Sequence, residues 1–301
     1  MVVRSEGCLK GAQYQNIWMY IIHELEDAIN DCNNGDLTAN DGGPHAWDEG
    51  WAFYAGSLEG PIGTGDGQLI YSLAEKRCEN FGTCTGDDDG SNVLGLSAVN
   101  AKLLDLFADG QTGLLEGKCD DVVDIKDQIV DLMTIPLVQG VLRYFYLADP
   151  EGGNSGSKAE AELWAFAASV LPRINECNAD TAAIIRTNTD LASPNAPMVD
   201  GYVAMKKELE SVYSCLGFSC SDVGGFLTEG DSETYYEGME PCGGSSGGLP
   251  EYAVAIIAVV AVVAVLGLGF LGYRSMRSKK ATSGNVGDGL GGFGAKPSGT
   301  L

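Results

Sequence analysis

The feature that most constrains this chain is an uninterrupted apolar stretch at residues 253–273, AVAIIAVVAVVAVLGLGFLGY, which carries no charged side chain. A helix of this length, rising about 1.5 Å per residue, crosses the hydrocarbon core of a bilayer. Four basic residues follow: Arg274, Arg277, Lys279 and Lys280. Because such clusters stay on the cytoplasmic side, the pattern predicts a plasma-membrane protein with a single transmembrane helix at 251–273 and a cytoplasmic C-terminus.

Residues 1–250 are then expected outside the cytoplasm. They hold 40 of the 42 acidic residues but only 13 of the 18 basic residues. This charge disfavours nucleic acid and anionic lipid as partners and concentrates cations, although it also serves solubility alone. The tail at 274–301 is rich in glycine and serine and too polar to bury a core, so we expect it to be disordered.

The chain has nine cysteines, and all of them precede the apolar stretch. This distribution is typical of an oxidising compartment and predicts about four disulfides, whereas a zinc site is disfavoured because no Cys-x-x-Cys pair occurs. The disulfide candidates are Cys32, Cys78, Cys84, Cys119, Cys177, Cys215, Cys220 and Cys242. Cys8 is left over. The N-terminus lacks the apolar core of a signal peptide, so we expect this sequence to begin downstream of one.

A segment bounded by glycine and proline, residues 42–60, predicts a helix of about four turns. Its apolar stripe comprises Trp47, Trp51, Tyr54 and Leu58. The opposite face carries His45, Asp48 and Glu49, whose i, i+3, i+4 spacing directs three metal-ligating groups to one point. The alternative is a capped amphipathic helix whose acids lie near the positive end of the helix dipole.

A second helical pattern covers residues 13–31, with an apolar stripe of Ile17, Tyr20, Ile21, Leu25 and Ile29. It repeats the metal-ligand spacing with His23, Glu26 and Asp27. These are further candidate metal ligands, and Glu24 and Tyr54 add oxygen donors nearby. The alternative is a surface histidine beside acids, with Tyr54 packed in the core. Further helices are expected at about 67–81, at 92–117 with a weak point at Gly110, and at 120–149 with a kink or break near Pro136.

The sequence also contains an internal similarity. ELWAFAA at 162–168 shares five of seven residues with EGWAFYA at 49–55, and CSDV at 220–223 is similar to CDDV at 119–122. This predicts an all-α, duplicated four-helix-bundle ectodomain, unless the similarity is chance. Its expected parts are a first repeat at 1–118, a second at 119–224 and an acidic, then Gly/Ser-rich stalk at 225–250.

The repeats differ in chemistry. Lys158 occupies the position of His45, and only Glu162 keeps an acid where the first repeat has Glu49. Glu162 is therefore the second repeat's one candidate ligand.

The block HAWDEGWAFYAGS at 45–57, with its echo at 162–168 and the cysteine-rich helical ectodomain, resembles the algal iron-assimilating proteins. These are low-iron-inducible or high-CO2-inducible proteins of the periplasm or cell surface. The resemblance covers roughly residues 8–242. More distantly, Gly43-x-His45-x-x-Asp48 is similar to the Gly-x-His-x-x-Glu motif of imelysin-like helical proteins, with Asp in place of Glu.

The resemblance implies iron acquisition outside the plasma membrane. We therefore expect a membrane-anchored cell-surface protein that binds Fe³⁺ or Fe²⁺, has no enzymatic activity, and partners a membrane iron transporter or reductase. One alternative is an adhesion or signalling ectodomain without metal. Another is an imelysin-like metal-dependent hydrolase. It is disfavoured because His-Glu-x-x-His does not occur, and Gly-x-Ser-x-Gly occurs only by composition in the Gly/Ser-rich run at 243–248.

Overall fold

A computed structural model describes residues 2–56, 67–85, 97–153, 156–192, 198–230 and 233–242. All of them belong to one unit, residues 1–246. The apolar stretch at 253–273, its basic flank and the tail lie outside the described residues. Among the helices that are described, none is both long enough and apolar enough to span a membrane.

The described chain is all-helical, as expected, and contains no β-strand. Its elements are α1 (Val2–Gly11), a π-helix (Ala12–Asn16), α2 (Ile17–Asn33), α3 (Gly43–Ala55), α4 (Ile70–Phe81), α5 (Ala98–Leu115), α6 (Cys119–Ala148), α7 (Ser157–Cys177), α8 (Ala179–Thr189), α9 (Tyr202–Glu210) and α10 (Cys220–Val223). In the described ranges α6 packs against both α5 and α7, while α1 and α8 pack against α7.

Helices α2 and α3 form an antiparallel pair because two glycines of α3 let the backbones approach closely. A Cβ atom at Gly43 would lie 2.6 Å from the carbonyl oxygen of Ala28, and one at Gly50 would lie 3.0 Å from Leu25. Proline in the first turn starts α3 where the sequence predicts. Of the predicted apolar stripe, Trp47 and Tyr54 are buried and Trp51 is half-buried, while Leu58 lies outside the described residues.

Helix α5 is unbroken at Gly110, contrary to the expected weak point. The indole of Trp47 occupies the space beside Gly110, where a Cβ atom would lie 2.1 Å from the ring. The indole also donates a hydrogen bond of 2.8 Å to the carbonyl oxygen of Phe107. The glycine therefore serves close packing and does not end the helix.

Helix α6 likewise continues through Pro136 as a single helix, which excludes the break and leaves the kink as a prediction. Residues on both sides of the proline are buried, from Met133 to Leu142, and this packing holds the helix together. Arg173 of α7 donates hydrogen bonds to the carbonyl oxygen of Val130 at 3.3 Å and to the hydroxyl of Thr134 at 2.6 Å. These contacts tie α7 to the turn that precedes the proline.

Four disulfides join the eight predicted cysteines in the pairs Cys32–Cys119, Cys78–Cys84, Cys177–Cys215 and Cys220–Cys242. Cys8 is a free, exposed thiol. The first pair ties the end of α2 to the start of α6. The prediction of four disulfides and one leftover cysteine is confirmed.

One hydrophobic core extends over both predicted repeats, from Tyr14 to Met239. The two repeats share this core, and the duplication stays a prediction. The structure differs from the expected stalk boundary at residue 225: Phe226 and Met239 are buried, and Cys242 is disulfide-bonded. Apolar side chains spaced along this acidic segment draw it onto the bundle, so a stalk begins no earlier than residue 243.

Candidate metal-binding surface

Two histidine–carboxylate pairs lie on the paired helices α2 and α3. His23 Nε2 lies 3.4 Å from Asp27 Oδ2 on α2, and His45 Nε2 lies 3.5 Å from Glu49 Oε1 on α3. Each pair spans one helical turn, and all four side chains are about half exposed. The i, i+4 spacing therefore brings each histidine to an acid, as the sequence indicates.

Tyr20 connects the two helices at this surface. Its ring centroid lies 5.6 Å from that of His23 on its own helix and 4.7 Å, edge to face, from that of Phe53 on α3. The antiparallel packing thus places the phenol ring of Tyr20 between His23 of the first pair and helix α3, which carries the second pair. We call Tyr20, His23, Asp27, His45 and Glu49, together with Glu24, the α2–α3 surface.

The carboxylates of this surface act on Tyr20. Glu24 lies within hydrogen-bonding reach of the phenol, and this hydrogen bond is the largest cause that raises the pKa of Tyr20. The charge of Glu24, slight burial, and then the charges of Glu49 and Asp27 raise it further. Charges on both helices therefore act on one phenol, and the spacing within each helix does not predict the contribution of Glu49.

Glu24 is the buried member of the set, with 5% of its surface exposed. It lies at the crossing of the helices, where a Cβ atom at Gly50 would be 3.7 Å from the Glu24 Cβ. No described lysine, arginine or histidine forms an ion pair with it. A carboxylate buried without a cation is costly, so this crossing favours a positive partner.

The other predicted ligands of the first repeat lie differently. Asp48 Oδ1 accepts a hydrogen bond of 2.7 Å from Gln111 Nε2 of α5, and Glu26 is exposed. Tyr54 is buried and its hydroxyl donates to Asn100 Oδ1 at 2.5 Å, so it serves the core. Over the described ranges, no group of three or more His, Cys, Asp or Glu side chains is arranged to hold a metal ion. The ligand set therefore stays a prediction.

Glu162 has a different environment from Glu49. It is buried, at 7% exposure, and lies within hydrogen-bonding reach of Tyr144, another buried residue. Burial first and the Glu162 charge second raise the pKa of Tyr144 to about 12, while the charge of Arg77 opposes this shift. The charge of Glu162 also acts on the amine of Lys10. The chain's own cations therefore lie near Glu162, which distinguishes it from the α2–α3 surface.

Sequence reasoning missed Tyr20 as a member of the surface because its position fits the apolar stripe of the 13–31 pattern. The available signal was its spacing: Tyr20 precedes His23 by three residues and Glu24 by four, so all three share one side of a helix.

The fold and surface define a class: a disulfide-bonded, all-helical protein that presents histidines, acids and a phenol on one helix pair. The model of the low iron-inducible periplasmic protein family (Fea1) matches residues 8–243, and the chain belongs to this family. This confirms the resemblance to the algal iron-assimilating proteins and supports a location outside the cytoplasm. The likeness to imelysin-like proteins stays a prediction. No curated protein and no solved structure matches the chain.

Proposed function

We propose that this protein binds iron at the α2–α3 surface and assists iron acquisition outside the cytoplasm. The observation that carries the proposal is the position of Tyr20, whose ring contacts His23 on α2 and Phe53 on α3. The charges of carboxylates on both helices act on this phenol, and membership of the low iron-inducible family supports iron as the cargo.

The donor types suit iron in either oxidation state. Carboxylate and phenolate oxygens favour Fe³⁺, and imidazole nitrogens add affinity for Fe²⁺. His23, Asp27, His45 and Glu49 are about half exposed, so their side chains change rotamer on a picosecond to nanosecond timescale. A bound cation relieves the mutual repulsion of the acids and draws the two pairs together around Tyr20.

We further propose that the 253–273 segment anchors the protein in the plasma membrane. An anchored binder holds its iron within reach of a transporter or reductase in the same membrane, and it acts without turnover. The 40 acidic residues of the first 250 raise the local concentration of cations at this location.

The test is a calorimetric titration of the whole, disulfide-intact chain with Fe³⁺ as a weak chelate and, without oxygen, with Fe²⁺. We expect saturable binding that weakens at least tenfold, about 1.4 kcal/mol, in His45→Ala/Glu49→Ala. The matched control is Glu176→Ala, which removes an equal charge from an exposed position of α7. Equal binding in all three proteins, or weak binding at many sites, would contradict the proposal and favour a metal-free ectodomain.

Tyr20→Phe tests the role of the phenol with little change of shape. A phenolate bound to Fe³⁺ gives a charge-transfer band in the visible spectrum, and we expect iron loading to produce this band in the wild type alone. A band of equal intensity in Tyr20→Phe would exclude Tyr20 as a ligand.

A further inference from the structure

Helices α7 and α8 form a hairpin with a groove between them. Only Asn178 separates the two helices, and its side chain caps α8 by accepting hydrogen bonds from the backbone N–H groups of Asp180 and Thr181. The Cys177–Cys215 disulfide ties the closed end of the hairpin to the chain that follows α9. Because α8 folds back along α7 from this short turn, residues of both helices line one groove.

The groove has a volume of about 550 Å³, within the range of small-molecule sites. Its apolar lining includes Trp164 and Leu171 of α7 and alanines of both helices: Ala168, Ala179, Ala182 and Ala183. Because the side chain of alanine is a single methyl group, these positions leave space between the helices. We call this feature the α7–α8 groove.

Trp164 forms one wall of the α7–α8 groove. On one edge its indole lies against α1, since a Cβ atom at Gly7 would be 3.5 Å from the ring. Trp164 is nevertheless 38% exposed, so helix α1 supports the ring while part of its apolar surface stays in contact with water. An aromatic ligand that covers this part gains free energy both from apolar burial and from ring stacking.

Two opposite charges line the groove near the C-terminus of α8. Arg186 and Asp190 are one helical turn apart, yet they form no ion pair with each other or with another described residue. Asp190 Oδ1 accepts a hydrogen bond of 2.9 Å from the backbone N–H of Ala192, which leaves Oδ2 for a ligand. A purely anionic ligand would be repelled by Asp190, and a purely cationic one by Arg186. The charges therefore favour a ligand that carries both signs.

We propose that the α7–α8 groove binds a small zwitterion with an aromatic side chain, of the class of the free aromatic amino acids. The guanidinium of Arg186 forms paired N–H···O hydrogen bonds with the carboxylate of the ligand. Asp190 Oδ2 accepts a hydrogen bond from its ammonium group, and the aromatic ring lies against Trp164. In an α-amino acid one carbon joins the two charged groups, so they fit two opposite charges on neighbouring helical turns. The site shares no residue with the α2–α3 surface.

The test is a calorimetric titration of the iron-free whole chain with L-phenylalanine and with three analogues. Phenethylamine lacks the carboxylate, 3-phenylpropionate lacks the ammonium group, and L-alanine lacks the ring. We expect saturable binding of L-phenylalanine and at least tenfold weaker binding of each analogue. A smaller difference for any analogue would overturn the proposal, because the group that the analogue lacks would then have no role in binding.

Two variants assign the charged groups of the ligand to residues. Arg186→Gln and Asp190→Asn should each weaken the binding of L-phenylalanine at least tenfold, and the asparagine keeps an Oδ1 acceptor for Ala192. Arg186→Gln should not weaken the binding of phenethylamine, and Asp190→Asn should not weaken that of 3-phenylpropionate. The matched control is Arg4→Gln, an exposed arginine of α1 that does not line the groove and should bind as the wild type does.

Two further measurements separate this proposal from folding and from iron binding. The near-UV circular dichroism of both groove variants should equal that of the wild type, and L-phenylalanine should raise the melting temperature of the wild type by mass action. His45→Ala/Glu49→Ala should bind L-phenylalanine with unchanged affinity. No saturable binding by the wild type, or wild-type affinity in Arg186→Gln, would overturn the proposal.

Discussion

Single glycines determine how closely the helices of the first half pack, and Gly110 gives the sharpest example. In Gly110→Ala the new methyl group would overlap the Trp47 ring and displace the indole from its hydrogen bond to Phe107. We expect a loss of about 3 kcal/mol in the free energy of unfolding, measured by urea denaturation.

The matched control for this substitution is Gly11→Ala, where the nearest atom lies 3.9 Å from the new methyl group and the backbone is helical. We expect it to be neutral or to stabilise by about 0.5 kcal/mol. Similar stabilities for the two variants would show that the Trp47–Gly110 contact is not a determinant of packing.

Asp222 gives a pH dependence at the residue scale. Burial raises its pKa, but hydrogen bonds from Ser219 and the charge of Lys102 outweigh burial, so the pKa lies below its usual 3.8. Because the pKa of this carboxyl is lower in the folded than in the unfolded protein, the carboxylate stabilises the fold at pH values above its unfolded-state pKa. This stabilisation is lost as the pH falls through the folded-state pKa. Asp222→Asn should therefore cost about 1 kcal/mol at pH 7 by weakening the capping box of α10.

The difference in unfolding free energy between wild type and Asp222→Asn should shrink when the pH is lowered below about 4, because protonation removes the same charge from the wild type. Urea denaturation of both proteins at neutral and at acidic pH measures this difference in unfolding free energy. A constant difference across this range would contradict the assigned role of the carboxylate.

At the scale of elements, the disulfides differ in the length of the chain loop that each of them closes. Cys32–Cys119 spans 87 positions and Cys78–Cys84 spans 6. The chain-entropy model gives about 4.6 kcal/mol for the long loop and about 2.2 kcal/mol for the short one. The double variant Cys32→Ala/Cys119→Ala should therefore melt at a lower temperature than Cys78→Ala/Cys84→Ala. The reverse order in calorimetry would contradict the entropic account.

Helices were predictable where one face is apolar, and less so elsewhere. The patterns at 13–31 and 42–60 predict α2 and α3 because their buried residues recur at helical spacing. The π-helix and α1 were not predicted, since α1 has little apolar periodicity of its own and packs on the distant α7. Gly110 and Pro136 are local helix breakers, and tertiary packing overrides both.

Part of the candidate site was predictable for the same reason. Spacing within one helix predicts the His23–Asp27 and His45–Glu49 pairs, which the structure contains. The approach of Glu49 to Tyr20 depends on the crossing of α2 and α3 at Gly50, and no local pattern specifies that crossing. The contact of Asp48 with Gln111 is likewise tertiary, because the two residues lie 63 positions apart.

At the scale of the whole molecule, charge and chemistry are unevenly distributed. The chain is strongly acidic and contains only two histidines, and both are on the α2–α3 surface. In the second half, Glu162, which the predicted repeat aligns with Glu49, is buried near the chain's own cations. This asymmetry is the reason that we propose iron binding in the first half of the chain.

The central claim is that iron binds between α2 and α3. Anomalous diffraction at the iron absorption edge, from crystals of the iron-loaded chain, locates the metal without reference to any variant. We predict a peak within coordination distance of Glu49 and the Tyr20 oxygen. A peak at another place in the molecule, such as beside Glu162, or no ordered iron in a loaded crystal, would contradict the account.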